Sequence, residues 1–278
     1  MLDAGIFTTV QDLGRRGWAH FGVARSGAAD RSALRLANRL VGNPEDAAGL
    51  EVLAGAAVLR VGGPAVVAVT GSRGAVAVND HPEARNVALR LAPGDVLRTG
   101  GSTRGLRSYL AVRGGVDVPP VLGSRSYDQL GGIGPPPLRA GDSLPIGVEP
   151  DRAPYWEVAP VREIDPEPTL RVVAGPRDGW LLQPGISQLT SQPWTVLPMS
   201  DRTGLRLSGP RIGRRDGELP SEGLVPGAVQ VPADGAPIVL GPDAGVTGGY
   251  PVVAVVIDAD LDILGQIAPG APVRFRLL

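Results

Sequence analysis

Val252-Val253-Ala254-Val255-Val256-Ile257 is an uninterrupted apolar run set between Pro251 and Asp258. A run this short suits a strand, and with no polar position in it both faces of that strand are expected to be covered. Ala65 to Thr70, Ala228 to Val231 and Pro237 to Leu240 read the same way. Strands of this kind belong in a closed barrel or a sandwich core. Elsewhere one face alternates: Val87, Leu89 and Leu91 within Asn86 to Leu91, and Leu205 and Leu207 around Arg206. The chain has 278 residues, of which 40 are Gly and 28 are Pro, and these punctuate the apolar runs instead of clustering. The sequence therefore predicts a mainly β protein of short strands and tight turns.

One helix interrupts this pattern. Asp30 is a good N-cap, Leu34, Ala37 and Val41 share a face, and Gly42 fits the position just past the end. Asn43-Pro44-Glu45-Asp46 predicts a second short helix, capped by Asn43 with Pro44 in the first turn.

The stretch from Glu149 to Thr169 is rich in proline and acidic residues and has little apolar periodicity, the composition of an exposed connection. Two units are thus expected, residues 1–150 and 170–278, joined by a linker over 151–169. A weak internal repeat agrees with two units, because Tyr109 to Ser124, ending Val-Leu-Gly-Ser, resembles Tyr250 to Gln266, ending Ile-Leu-Gly-Gln. Each copy then reaches a glycine turn and an expected last strand. Between Gly123 and Gly141 the first copy carries an insertion that the second lacks, and added loops on a repeated scaffold often carry function. Arg125, Tyr127, Asp128 and Gln129 give the segment from Ser124 to Leu138 ligand-binding chemistry.

Composition excludes several classes. The formal net charge of −1 and the lack of any basic block argue against a nucleic-acid partner. No apolar run is long enough to span a bilayer, and Met1 to Gly17 lacks the features of an export signal, so a soluble cytoplasmic protein is expected. With no Cys and only His20 and His81, no metal site is expected. All 27 basic residues are Arg. Without Lys there is no Walker loop, no Schiff-base residue and no acceptor for covalent biotin. ATP or biotin must therefore be handled by Arg and backbone groups or by a partner.

Three segments hold more polar chemistry than folding requires. In Thr8 to Arg15, continuing through His20 to Asp30, the residues Gln11, Asp12 and Arg15 lie in a Gly-bounded loop and are site candidates. Ser26 and Asp30 read as loop and cap residues, His20 as a packed histidine, and His81 as exposed. In Ser200 to Arg206, followed by Pro220 to Gly223 and Ala228 to Pro232, the residues Asp201, Arg202, Glu222 and Gln230 sit at strand ends. They converge if those strands neighbour one another. Arg202 would then grip a substrate carboxylate, with Asp201 fixing its guanidinium from behind. In Pro242 to Pro251, Gly248 and Gly249 before Tyr250 allow close backbone approach to a ligand.

Read together, these segments resemble the carboxyltransferase-domain family that includes the C subunit of 5-oxoprolinase (the KipA-like proteins), allophanate hydrolase subunit 2 and the carboxyltransferase part of urea carboxylase. The resemblance rests on Thr9 to Arg15, Leu34 to Asn38 with Val41 to Pro44, Ser200 to Gly204, and Thr247 to Pro251, and it covers essentially the whole chain. Thr203 stands where Met is common, and Gly241 to Val246 replaces a more polar lead-in. The resemblance implies two cyclophilin-like β-barrel subdomains with few short helices. It also implies a KipI-like partner, the B component of the complex, and in the oxoprolinase system a third, A component.

The reaction implied first is the ATP-dependent opening of 5-oxoproline to glutamate, with ATP used by the complex. Asp12, Asp201 and Glu222 are the carboxylates expected to move protons. Gln11, Arg15, Arg202, Gln230, Gly248, Gly249, Tyr250, Tyr127 and Asp128 are expected to contact substrate. A biotin-dependent carboxyltransferase acting on urea or a small amide ranks second, because the chain is of subunit size and is not fused to a biotin domain. A non-catalytic KipA-like regulator ranks third.

Overall fold

The computed structural model describes residues 1–54, 57–151, 153–154, 158–160 and 163–278. Of the linker expected over 151–169, residues 152, 155–157 and 161–162 lie outside the described residues. The chain forms two compact units. The first comprises Met1–Arg15, Asp30–Asp128 and Gly132–Ile164, and the second Arg16–Ala29, Gln129–Gly131 and Asp165–Leu278.

The first unit contains β1 (Phe7–Gln11), α1 (Arg31–Val41), β2 (Gly49–Leu53), β3 (Val58–Arg60), β4 (Ala65–Arg73), β5 (Val76–Val78), β6 (His81–Glu83), β7 (Leu89–Leu91), β8 (Val96–Thr99) and β9 (Arg104–Val112). A five-stranded antiparallel sheet runs β1-β2-β9-β4-β7, and a four-stranded sheet runs β3-β8-β5-β6. Alternation along β4 explains why both faces of that strand are apolar. Val67 and Val69 join a core with Leu50, Leu110 and Leu97, while Ala68 packs on the other face with Ala37, Leu40 and Val41 of α1. The expected helix start holds, since the Asp30 carboxylate accepts from the Ala33 amide at 2.9 Å and Gly42 ends α1 at φ 76°. Gly49 lets α1 approach, because a Cβ there would lie 3.1 Å from Leu34 Cδ1 and 2.7 Å from the Leu110 carbonyl.

Three expectations are corrected here. Asn43-Pro44-Glu45-Asp46 makes a turn and not a helix. The Asn43 side chain instead donates to the Val112 carbonyl at 2.7 Å and accepts from Gly114 N at 2.9 Å, tying the end of α1 to β9. Asn86 lies outside the strand at φ 55°, so only Leu89–Leu91 pairs with β4. The repeat ends with its strand: the second copy continues into a helix, whereas in the first Val116 meets Ile146 through a single bridge.

The second unit contains β10 (Thr169–Ala174), α2 (Ser187–Thr190), β11 (Trp194–Val196), β12 (Gly204–Ser208), β13 (Glu222–Gly223), β14 (Ala228–Gln230), β15 (Ile238–Leu240), β16 (Thr247–Gly248), β17 (Val252–Val256), α3 (Asp258–Leu264) and β18 (Pro272–Leu277). Seven of these strands close into a barrel in the order β10-β17-β14-β15-β12-β11-β18, sealed by the parallel pair β10 and β18. Leu170, Val172, Leu207, Val229, Val253 and Phe275 fill it. The run at 252–256 is apolar on both faces for a visible reason. Val253 and Val256 join the barrel core, whereas Val252 and Val255 pack with Leu224, Leu240 and Ala244 in a second cluster. Asp260 in the first turn of α3 accepts from Arg171 N at 2.7 Å and pairs with the Arg171 guanidinium at 2.6 Å, which pins the helix to β10.

Leu170 is fully buried while Val173 on the same strand is 43% exposed. Leu170→Ala is therefore expected to lower unfolding free energy by about 2–5 kcal/mol in a denaturant titration, and Val173→Ala by no more than about 0.5 kcal/mol.

Candidate functional site

In the first unit the candidate residues near the N-terminus gather around the 124–128 segment. Four donors converge on the Asp12 carboxylate: Gly14 N at 2.7 Å, Ser124 Oγ at 2.7 Å, Ser126 Oγ at 2.5 Å and Arg125 N at 2.6 Å. So many donors to one carboxylate make Asp12 an anchor for the loop. Arg15 is 2% exposed and donates to the Ser126 carbonyl. Gln11 is fully buried, and its amide nitrogen donates to the Tyr127 carbonyl at 2.9 Å. Asp128 is buried, with its backbone bridged to Ile133, while Tyr127 sets its half-buried ring edge-on to Phe7 at 6.4 Å. The site candidates of the insertion thus form a packed loop, not an open binding surface.

In the second unit Arg202 is 3% exposed, and its partner is Asp243, not the expected Asp201. Nε and Nη2 meet the two Asp243 oxygens at 2.7 and 2.8 Å, and Nη2 also donates to the Gly27 carbonyl at 2.6 Å. Ser26, held at φ 56°, donates to Asp243 Oδ1 at 2.6 Å, and Gln129 N donates to Oδ2 at 2.9 Å. A guanidinium sealed against a carboxylate in this way does not suit the anion grip expected of Arg202. Asp201 is half-buried and ties down its own turn, accepting from Thr203 N at 2.8 Å and from Gln129 Nε2 at 2.9 Å.

Strand register separates the remaining candidates. Gly204 pairs with Leu240 and Arg206 with Ile238, while Ile238 also faces Gln230, and Gln230 faces Val252. Asp201 and Arg202 therefore lie at one end of the barrel strands and Gln230 at the other. The expected convergence of all four side chains does not occur.

At the Gln230 end a different pair is found. The half-buried Glu222 carboxylate is gripped side-on by Arg177, with Nε at 2.9 and 3.1 Å from its two oxygens and Nη2 also on Oε1. Hydrogen bonding from Arg177, with the attraction of its charge, holds the Glu222 carboxyl below the usual carboxylate range and raises the Arg177 guanidinium further. Glu222 lies opposite Gly248 in the short β13–β16 ladder. A Cβ on Gly248 would come within 2.8 Å of Leu224 Cδ1, the end of a side chain that could shift, and 3.4 Å of Gln230 Nε2. Gln230 donates to the Tyr250 carbonyl at 3.1 Å, and the Tyr250 side chain is half exposed. Arg177, backed by Glu222 and set near a glycine strip, has the arrangement that the sequence suggested for Arg202. It was missed because its partner lies 45 positions away in the sequence, with no local signal joining the two.

Two smaller expectations also resolve. His20 is exposed and stacks on Phe21 with ring centroids 4.0 Å apart, so it is not packed in the core, and His81 is exposed as expected. Among the described residues no helix is long and apolar enough to cross a membrane.

Residues 21–277 match the family described as carboxyltransferase domain, subdomain A and B. The C subunit of 5-oxoprolinase from Escherichia coli (strain K12) is 39% identical over 279 residues, spanning 99% of this chain and 89% of that protein. The urea amidolyase of Lachancea kluyveri is 34% identical over 301 residues, spanning 98% of this chain but 16% of that protein. The crystal structure of the K. lactis urea amidolyase superposes with a TM-score of 0.92 at 31% identity, covering 100% of this chain and 18% of that one.

The Arg177–Glu222 pair sets an acid dependence. Because the folded carboxyl lies below its unfolded value near 4.3, the stabilisation is present above that value and is lost as pH falls through the folded one. Thermal melts of the wild type and Glu222→Gln should therefore differ at pH 7 and converge as the pH falls through the lowered folded value. A gap that stays constant with pH would show that the pair carries no such linkage.

Proposed function

This chain belongs to the carboxyltransferase-domain family, subdomains A and B, and from that membership we propose that it is the C-type subunit of an ATP-dependent 5-oxoprolinase, opening 5-oxoproline to glutamate with a KipI-like B component and an A component. One observation carries the reading. The relative named as the C subunit of 5-oxoprolinase is matched over 89% of its own length, whereas urea amidolyase is matched over 16%.

Ring opening requires water to attack the lactam carbonyl, the C–N bond to break and the ring nitrogen to take up a proton. In this reading Arg177 grips the substrate carboxylate through the donors that Glu222 leaves outward. Gly248 and Gly249 bring backbone close to the ring, with Gln230 and Tyr250 beside them. Glu222 is a positioning residue, because a carboxylate held well below the working pH is a weak general base. Asp12, Asp201 and Arg202 hold loops in this reading. Activation of the carbonyl falls to partner chains: no glycine stretch here has the spacing of a nucleotide loop, and the chain has no Lys to set against phosphates or to carry biotin. The protein works in the cytoplasm as part of that complex.

The TM-score of 0.92 against urea amidolyase favours a second reading, carboxyl transfer to urea or a small amide from biotin held on another chain. The two readings part in one assay. The chain combined with its partner components should hydrolyse ATP in response to 5-oxoproline and not to urea, and the isolated chain should be inactive. Arg177→Lys keeps the charge but removes the planar fork. Loss of one charge-assisted contact of roughly 1.5–3 kcal/mol should lower kcat/KM about tenfold to a hundredfold. Arg206→Lys, on the exposed face of β12, should have no such effect. Full activity from the isolated chain, or equal small effects at both positions, would contradict this assignment.

A further inference from the structure

The first unit holds a cavity of about 390 Å³ lined by Gly71, Arg73, Gly74, Ala75, Arg85, Asn86 and Thr103. It opens where the pairing of β4 with β9 shifts register between Gly71 and Arg73, and bulges of this kind commonly mark sites. Its walls must stay small. A Cβ on Gly71 would come within 2.4 Å of the Arg107 carbonyl, and one on Gly74 within 2.7 Å of the Gly101 carbonyl.

Among the described residues, two groups on this cavity lack their complements. The Arg85 guanidinium donates from Nη2 to the Thr70 carbonyl at 2.6 Å and to Ser108 Oγ at 3.2 Å, and from Nη1 to the Gly74 carbonyl at 3.5 Å. All three acceptors are neutral, and no described carboxylate pairs with it. Burial accordingly pulls its pKa down to about 10. The second group is the side chain of Asn86, which is 3% exposed on a left-handed backbone at φ 55°. Its Oδ1 is buried and accepts no hydrogen bond. A half-buried cation with no anion beside it among the described residues and a buried acceptor without a donor both carry a cost, and one ligand can satisfy both.

We propose that this cavity binds a small organic acid whose carboxylate meets Arg85 and whose N–H donates to Asn86 Oδ1. A single negative charge is called for, because Arg73 at the rim already pairs with Glu163 at 3.3 Å and leaves one guanidinium uncompensated. A phosphate dianion fits poorly, since its oxygens would face the oxygen of Asn86. The site is separate from the Arg177 pair and does not rest on the proposed activity.

The test is calorimetric titration of the full chain with N-acetylglycine, which carries one carboxylate and one amide N–H. Saturable one-to-one binding is expected at millimolar concentration or below. N-acetylglycinamide, which removes the charge, and N-acetylsarcosine, which replaces the N–H by N-methyl, should each bind at least tenfold more weakly. These two comparisons need no variant, so they stand even if one misfolds. Arg85→Gln with an unchanged melting temperature should lose binding, while Arg177→Lys should retain it. Absence of saturable binding, equal affinity for the three compounds, or undiminished binding in a folded Arg85→Gln would overturn the proposal. Loss of binding in Arg177→Lys alone would assign the ligand to the other site and overturn it as well.

Discussion

Segments from earlier in the chain that dock on the second unit's barrel meet it at one ion pair sealed from water, Arg202 with Asp243. Neither charge is tolerable there without the other, and together they leave acceptors and donors that other segments complete. The Gly27 carbonyl takes Arg202, while Ser26 and the Gln129 amide take the Asp243 oxygens. Residues 16–29 and 129–131, which carry these contacts, belong to the second unit, although the sequence places both far ahead of the barrel strands. The left-handed Ser26 is the backbone cost of presenting its hydroxyl to the pair.

This arrangement divides the labour among the charged residues. Asp12, Asp201 and Asp243 are each engaged by several donors and act as fasteners. Arg177 with Glu222 and the Arg85 guanidinium are the charged groups to which the two proposals assign ligands, one in each unit. A chain with no Lys and no Cys, whose two histidines are exposed, offers few groups suited to proton transfer near neutral pH.

Local and periodic signals were legible. The capped helix at 31–41, the doubly buried strand at 252–256 and the alternation around Arg206 all follow from spacing within a few residues, and the structure has them. Long-range pairing was not. The sequence joined Arg202 to the neighbouring Asp201, but barrel closure brings Asp243 to it instead, and the same closure sends Gln230 to the opposite strand end. Asn43 shows the limit for local signals: its cap chemistry was legible, yet its side chain is used by β9 and no helix follows.

Hydrogen exchange on Asp243→Asn tests the central role of the buried pair most directly. The substitution keeps the shape of the side chain but leaves Arg202 an uncompensated buried cation, a loss of about 3–5 kcal/mol. The account predicts that the amides of Ser26 and Gln129, which donate to the Pro242 carbonyl and to Asp243, exchange about a hundredfold faster or more. Leu170 and Val172 inside the barrel should keep most of their protection. Unchanged exchange at Ser26 and Gln129, or equal loss of protection throughout the barrel, would contradict it.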